Sequence, residues 1–411
     1  MEEDNILKIK EMKYQLEMNK EKFAAFQSSL YNTYRDIEAL INSYLEIKPE
    51  YTKIISLWII GTYFHPRFQS YPYLFLNAMR GSGKTRLLKI IQSLSKGGLL
   101  LNSLTEAILF RTKDTLCIDE FESMGRKGSD NLRELLNSAY KKGTKVMRMR
   151  KTNTKEGEKQ VPEEFDVYRP VAMANIRGID DVLADRSIII NLEKSNNPLK
   201  TKLIEDFDYN ILFNKTRLNL IELYNIWCSL CSVDVLYEVY MEWNNYVKGN
   251  ETTLYYTTSN TTITTLTTLI NRFKQLKDSE LTGRDLELTL PILSLTMLFD
   301  SDLTEDVFSE VLKIFSEISN QRREEEVVEN MDISLIDMIA QELEVQYYVR
   351  IEDITQKFKD FLRSGEDWIN NRYIGRALKR LGLIKSKRRM GHGTEVLLDY
   401  QKAKEKMKLF R

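Results

Sequence analysis

Apolar side chains recur every seventh residue over the first fifty positions, at Ile9, Leu16, Phe23, Leu30, Ile37 and Tyr44. The spacing predicts helix. The partner positions Met12, Asn19, Phe26, Thr33, Leu40 and Ile47 are mixed, so one or two helices packed on the following domain are expected rather than a long coiled coil. From about Tyr51 to Leu192 the rhythm changes to short apolar runs separated by helical stretches: Tyr73-Leu-Phe-Leu-Asn, Gly98-Leu-Leu-Leu, Thr115-Leu-Cys-Ile, Pro170-Val-Ala-Met-Ala and Ser187-Ile-Ile-Ile. Uninterrupted apolar strands are those buried on both faces, as in a parallel α/β sheet. From about Asn196 to Asn330 the pattern is helical, broken by the Thr-rich tract Glu251–Thr268, which is expected to be a loop or a short β excursion. From Met331 onward the order is a helix over 333–343, a short strand Tyr347–Arg350, helices Ile351–Leu362 and Asn371–Leu383, and a hairpin of Ile384–Arg389 with Thr394–Tyr400 around Met390-Gly-His-Gly393. Four regions follow: 1–50, 51–198, 199–330 and 331–411.

Composition narrows this picture without settling it. The 411 residues carry 60 Lys and Arg against 60 Asp and Glu, so the formal charge is zero and gives no overall signature of a nucleic-acid partner. Hydrophobic content of 42% and charged content of 29% are globular proportions, and no stretch approaches the ~18 uncharged apolar residues of a membrane span. The start Met1-Glu-Glu-Asp lacks the features of a signal peptide, and three cysteines are few, so a cytoplasmic, reducing location without disulfides or membrane attachment is expected. With 17 Gly and 7 Pro, long helices are favoured over a turn-rich β fold.

One segment carries specific chemistry. Ala78-Met79-Arg80-Gly81-Ser82-Gly83-Lys84-Thr85 follows an apolar strand and opens a helix over Thr85–Leu94, the context of a phosphate-binding loop, with Ala78 in place of the usual first glycine. Backbone N–H groups of the turn and of the helix start converge on phosphate oxygens, where the helix dipole adds to the attraction. Residues 78–86, Arg86 included, form the candidate ATP cradle; Lys84 is aimed at the β- and γ-phosphates and Thr85 at Mg²⁺. Leu116-Cys-Ile-Asp119-Glu120 ends a strand in two carboxylates, Asp119 suited to the metal and Glu120 to polarising an attacking water. Asn175 ends the next apolar strand, where it can orient that water. Arg186, before Ser187-Ile-Ile-Ile, serves either as a group that reaches a neighbouring subunit's γ-phosphate or as a local ion-pair partner of Asp185.

In this order and spacing, Ala78–Thr85, Asp119-Glu120, Asn175 and Arg186 resemble the AAA+ ATPases, and within them the superfamily 3 and minichromosome-maintenance-like helicases of plasmids, viruses and mobile elements. The resemblance implies a helix-rich α/β core, helical N-terminal and lid regions, and a homohexameric ring with ATP between subunits. It also gives meaning to the basic segment 141–159, where eight Lys and Arg face two acids. Its alternation predicts a hairpin with Thr152–Lys159 at the tip, and its position before Asn175 matches the pre-sensor hairpin that grips a DNA strand in the ring's pore. Arg148, Arg150, Lys151, Lys155 and Lys159 are the candidates; a solvated charged hairpin is the alternative. Leu281-Thr-Gly-Arg284-Asp-Leu-Glu resembles the lid helix of minichromosome-maintenance proteins, which makes Arg284 a second sensor of nucleotide; pairing with Asp285 or Glu287 is its alternative.

The element order after Met331 is that of a winged helix, a variant of helix-turn-helix. Residues 370–411 hold thirteen Lys and Arg against three acids. Arg372, Arg376, Lys379 and Arg380 recur on the third helix, and Lys387, Arg388 and Arg389 lie on the wing, a pattern suited to DNA phosphates or, alternatively, to a protein partner. Cys228-Ser-Leu-Cys231 has metal-like spacing, but tetrahedral zinc needs four ligands and buried cysteines are expected there. The expected activity is an ATPase-driven DNA helicase or translocase; the alternative is an initiator or helicase loader that binds DNA in an ATP-switched manner without moving along it.

Overall fold

The computed structural model describes residues 20–119, 130–154, 157–175, 179–230, 243–249, 270–299, 306–329, 331–342, 347–363, 369–391 and 393–408. Glu120, Lys155, Cys231, His392 and the Thr-rich tract lie outside them, and of Arg150, Lys151 and Lys159 only the backbone is described. The chain divides into two compact units, Met1–Ile314 and Phe315–Arg411.

The first unit opens with α1 (Lys20–Tyr44) and α2 (Pro49–Phe64). Of the sevenfold seam, Ile9 and Leu16 lie outside the described residues. The buried stripe of α1, Phe26, Leu30, Tyr34, Ile37, Ile41 and Tyr44, contains the seam positions Leu30, Ile37 and Tyr44 in a wider helix face, with Phe23 half-buried. It is packed inside the unit: Phe26 meets Trp227 at 5.2 Å and Tyr34 meets Phe299 at 5.5 Å between ring centroids. Helix α2 is apolar nearly all round, and its interior hydroxyls are absorbed by its own carbonyls, Ser56 donating to Thr52 O at 2.8 Å. Trp58 donates from Nε1 to Pro72 O at 2.8 Å, which fixes the entry to the sheet.

That sheet has five strands, β1 (Tyr73–Ala78), β2 (Leu99–Leu101), β3 (Leu116–Ile118), β6 (Val171–Asn175) and β7 (Ser187–Leu192), in the order β2-β3-β6-β1-β7. Each pairing is parallel. Parallel neighbours require crossovers, supplied here by α3 (Lys84–Leu94), α4 (Glu106–Arg111), α5 (Asp130–Ala139) and the short α6 (Asp181–Ala184). β3 and β6 are buried throughout and β1 at every position but Asn77; one face packs Phe75, Ile118 and Met173 on Leu109, Leu135 and Leu136. The five apolar runs read from sequence are these five strands, an α/β core in a helix-rich chain. After β7 come α7 (Pro198–Thr201), α8 (Ile211–Leu230), α9 (Gly283–Thr296) and α10 (Val307–Glu329), within which the division between units falls. Cys228, expected buried, is exposed on α8, because its helix turns Leu220, Leu223 and Trp227 inward instead.

Between α5 and β6 the chain forms an antiparallel ladder of β4 (Lys145–Thr154) with β5 (Gly157–Asp166). It runs farther than the sequence implied: Thr152 pairs with Lys159 and Thr154 with Gly157, so the expected tip is part of the strands, as the β-branched threonines allow. Pro162 is accommodated because both strands of a two-stranded ladder are edges.

The second unit holds α11 (Met331–Gln341), β8 (Val349–Arg350), α12 (Ile351–Leu362), α13 (Asn371–Arg380), β9 (Ile384–Met390), β10 (Gly393–Leu398) and a final helix not anticipated from sequence, α14 (Tyr400–Met407). Its strands form an antiparallel sheet in the order β8-β10-β9. Ile339, Phe358, Ile374, Leu378, Leu383 and Val396 make up the centre of its core. Asn370 caps α13 by accepting from the N–H groups of Arg372 and Tyr373. No described helix is long and apolar enough to cross a membrane.

Candidate functional site

The carboxyl ends of the parallel strands gather one group of side chains. β1 ends at Ala78, and the turn beyond it returns on itself through Ser82, whose N–H and hydroxyl both donate to Met79 O, at 3.3 and 2.8 Å. Gly81 and Gly83 have φ of 83° and 88°, where a side chain is strained, and a Cβ on Gly83 would stand 2.6 Å from Leu45 Cδ2. The loop therefore delivers the chain directly into α3 with Lys84 and Thr85 in its first turn.

Both residues meet Asp119, just past the end of β3. Thr85 Oγ1 donates to Asp119 Oδ2 at 2.7 Å, and Lys84 Nζ stands 3.7 Å from Oδ1. The carboxylate is largely buried, so an ammonium and a hydroxyl serve as its polar surroundings. Hydroxyl and carboxylate oxygens are the hard donors that Mg²⁺ takes, and Thr85 with Asp119 would hold it. β6 lies between β1 and β3, and its last residue, Asn175, is in register with Asn77 and buried. The strand order thus brings Lys84, Thr85, Asp119 and Asn175 to one end of the sheet; Glu120, next after Asp119, lies outside the described residues.

Arg80 is exposed on the loop, whereas Arg86 turns away from it. Its guanidinium donates to the carbonyls of Tyr44, Lys200 and Leu203 at 3.3, 2.8 and 2.7 Å and lies 3.6 Å from Glu205. Those contacts tie the first turn of α3 to α1, to α7 and to the segment after it, so Arg86 braces the glycine turn from behind. Beside the loop lies a cavity of about 650 Å³, lined by Glu46, Lys48, Asn191, Lys194, Ser195 and Asn197 among others. Asn77 and Asn191 join its floor to β1 through a 2.8 Å hydrogen bond, and Ser195 donates to Glu46 across it at 2.5 Å. No motif marks these residues, which come from two segments about 150 positions apart.

Arg186 and Arg284 stand at the opposite end of the sheet. Arg186 immediately precedes β7, whose first residue pairs with Tyr73 at the start of β1; the loop after β1 is a full strand away, about 20 Å at the usual rise per residue. Asp185 lies 3.6 Å from Arg186 Nη1 and 3.4 Å from Arg284 Nε. Arg284 also pairs with Glu287 at 2.7 Å, and both guanidinium groups face the ring of Tyr140. The local ion pairs considered for these arginines are present, and the two sites read separately from sequence are one cluster.

On the hairpin, Arg148 is bound to its own unit: it reaches Glu106 Oε2 at 3.0 Å and lies over Phe110, which stacks on Phe165 at 4.6 Å. The outward face instead exposes Lys145, Met147 and Met149. In the second unit Arg380 is held by Asp332 at 2.6 Å, and Arg388 by Glu395 at 2.6 Å and by the face of Tyr348. Arg372, Arg376, Lys379, Lys387 and Arg389 are exposed and form no ion pair among the described residues. These five cations on α13 and β9 have the charge to neutralise an anion such as phosphate, whereas Arg380, Lys385 and Arg388 are paired with carboxylates.

No family model and no curated protein matches the chain. Among solved structures it is similar to the apo A form of the NrS-1 C-terminal region, with a TM-score of 0.35 and 9% identity, over 90% of this chain and 76% of that one. A likeness that distant assigns neither activity nor partner.

Proposed function

We propose that the chain is an ATP-driven DNA helicase or translocase of the AAA+ kind, acting as a homohexameric ring in the replication of a mobile element, plasmid or virus. The observation that carries this reading is the division of the chemistry between the ends of one parallel sheet: Lys84, Thr85, Asp119 and Asn175 at the carboxyl end, Arg186 and Arg284 at the amino end. A strand length apart, the two sets cannot meet on one nucleotide within a chain; they can where the amino end of one subunit faces the carboxyl end of the next.

In that arrangement the glycine turn and Lys84 hold the triphosphate. Mg²⁺ held by Thr85 and Asp119 would supply positive charge for the phosphoryl oxygens. Glu120 takes the proton of the attacking water, Asn175 orients that water, and the neighbour's arginines stabilise charge as it spreads over the transferred group. The hairpin is continuous with β6, whose other end bears Asn175, so a shift there on hydrolysis has a direct route to the β4–β5 ladder. The second unit is read as a winged helix that contacts DNA phosphates through its five uncommitted cations.

Strand displacement tests the reading, measured for the wild type, Glu120→Gln and the double change Lys155→Ala/Lys159→Ala, with the mass of the assembly determined in ATP. Displacement by the wild type alone, from a ring, is the expected result. ATP hydrolysis and DNA binding without displacement in any assembly state would instead identify an initiator or loader.

A further inference from the structure

We propose that Tyr140 is a positioning residue that holds Arg186 and Arg284 together as one two-arginine group for the nucleotide bound by a second copy of this chain, an inference that rests on the ATPase reading above. The three residues are far apart in sequence and meet only in the fold. Tyr140 directly follows α5 and is 5% exposed. Its ring centroid is 5.3 Å from Arg186 Cζ and 5.0 Å from Arg284 Cζ, and its hydroxyl accepts from Arg284 Nη1. Two guanidinium groups so placed repel each other; the aromatic ring that both face and the bridging Asp185 carboxylate offset that repulsion.

The support is anchored to the sheet. Tyr71 N–H donates to Tyr140 O at 2.8 Å, the ring packs edge-on to Tyr73 of β1 at 6.5 Å, and Arg186 Nε donates to Asn137 O on α5 at 3.1 Å. Arg186 donates through Nε and Nη1 and Arg284 through Nη1, with Arg284 Nε 3.4 Å from Asp185 Oδ2, while Nη2 of each donates to no described residue. Two donors are thereby left for phosphoryl oxygens on side chains already ordered, and ordering long side chains beforehand removes an entropy cost from the reaction.

The test compares Tyr140→Phe and Tyr140→Leu in the full chain, by steady-state ATP hydrolysis, nucleotide titration and thermal unfolding. Tyr140→Leu is expected to lower kcat about 10²-fold while KM and nucleotide affinity hold, and Tyr140→Phe, which keeps the ring, to retain most of the rate. Mixed with Lys84→Ala subunits, which bind no nucleotide but carry an intact arginine pair, Tyr140→Leu subunits are expected to regain activity. Wild-type kcat in Tyr140→Leu, a loss of kcat explained by a matching loss of folded protein, or a mixture that assembles and stays inactive would overturn the proposal. A wild type that hydrolyses no ATP overturns the ATPase reading with it; a wild type that does, and loses activity on Lys84→Ala but not on Tyr140→Leu, overturns this inference alone.

Discussion

The two ends of the parallel sheet are built by different rules. At the carboxyl end a glycine turn leaves Met79 78% exposed, and a small set of side chains surrounds a single buried carboxylate. At the amino end two arginines are enclosed by an aromatic ring, two carboxylates and backbone carbonyls. The first combines a left-handed glycine turn with the ammonium of Lys84 and the hydroxyl of Thr85 beside one carboxylate. The second is a cluster of two arginines held in place by internal partners, two of them carboxylates. On the proposed reading the two ends are complementary, an anion cradle and a pair of arginines, and the strand length between them leaves that complementarity to a second copy of the chain.

The sharpest way to break this comparison is to disable each end in turn. Lys84→Ala is expected to remove nucleotide binding and turnover together, whereas Arg186→Ala should leave binding nearly intact and lower kcat by roughly 10³-fold. Fluorescent-nucleotide titration beside phosphate release measures both; loss of binding in both variants would make the two ends equivalent and the division between them wrong.

A smaller effect separates the cradle's contacts from its support. Arg86→Ala leaves the carbonyls of Tyr44, Lys200 and Leu203 without their donor and Glu205 without one of its cations. A loss of about 2 kcal/mol of stability in denaturant titrations is expected, with nucleotide affinity weakened only indirectly. Unchanged stability with lost binding would return Arg86 to the phosphate contacts proposed from sequence.

Acid should act on the amino end. Burial pushes the imidazole of His65 down to about 4 from the ordinary 6.5, and its ring packs on Tyr168 at the base of the hairpin. The unfolded chain takes up this proton below about pH 6.5 and the folded chain only near 4, so stability is complete above 6.5 and falls as the pH drops through that window. Between about pH 7 and pH 5 the histidine contributes a loss of about 2 kcal/mol. Replacing His65 with Asn should flatten that slope, as read from unfolding midpoints at the two values.

How much of this was legible in the chain depended on whether the information was contiguous. The phosphate loop, the strand ending in Asp119 and the strand ending in Asn175 are each local patterns whose hydrophobic run and terminal polar residue report directly on a buried parallel strand. The hairpin and the basic third helix of the second unit were legible for the same reason. Three things were not. The cavity beside the loop draws on residues 46–48 and 191–198, neither carrying a motif. Arg148, Arg380 and Arg388 look like free cations in sequence, yet each finds a carboxylate 42, 48 or 7 positions away. Arg186 and Arg284 read as two separate groups, one reaching a neighbour's γ-phosphate and one sensing nucleotide from the lid, because nothing local links them.

By itself the sequence determined the strands, the glycine turn that opens α3 and the confinement of positive charge to two elements of a neutral chain, since hydrophobic period, glycine placement and charge are properties of short stretches. Only the tertiary structure decided which cations remain available and which end of the sheet each catalytic candidate occupies. Ion pairing and strand order depend on distances between residues remote in sequence, and those distances exist only once the core around β1 has closed.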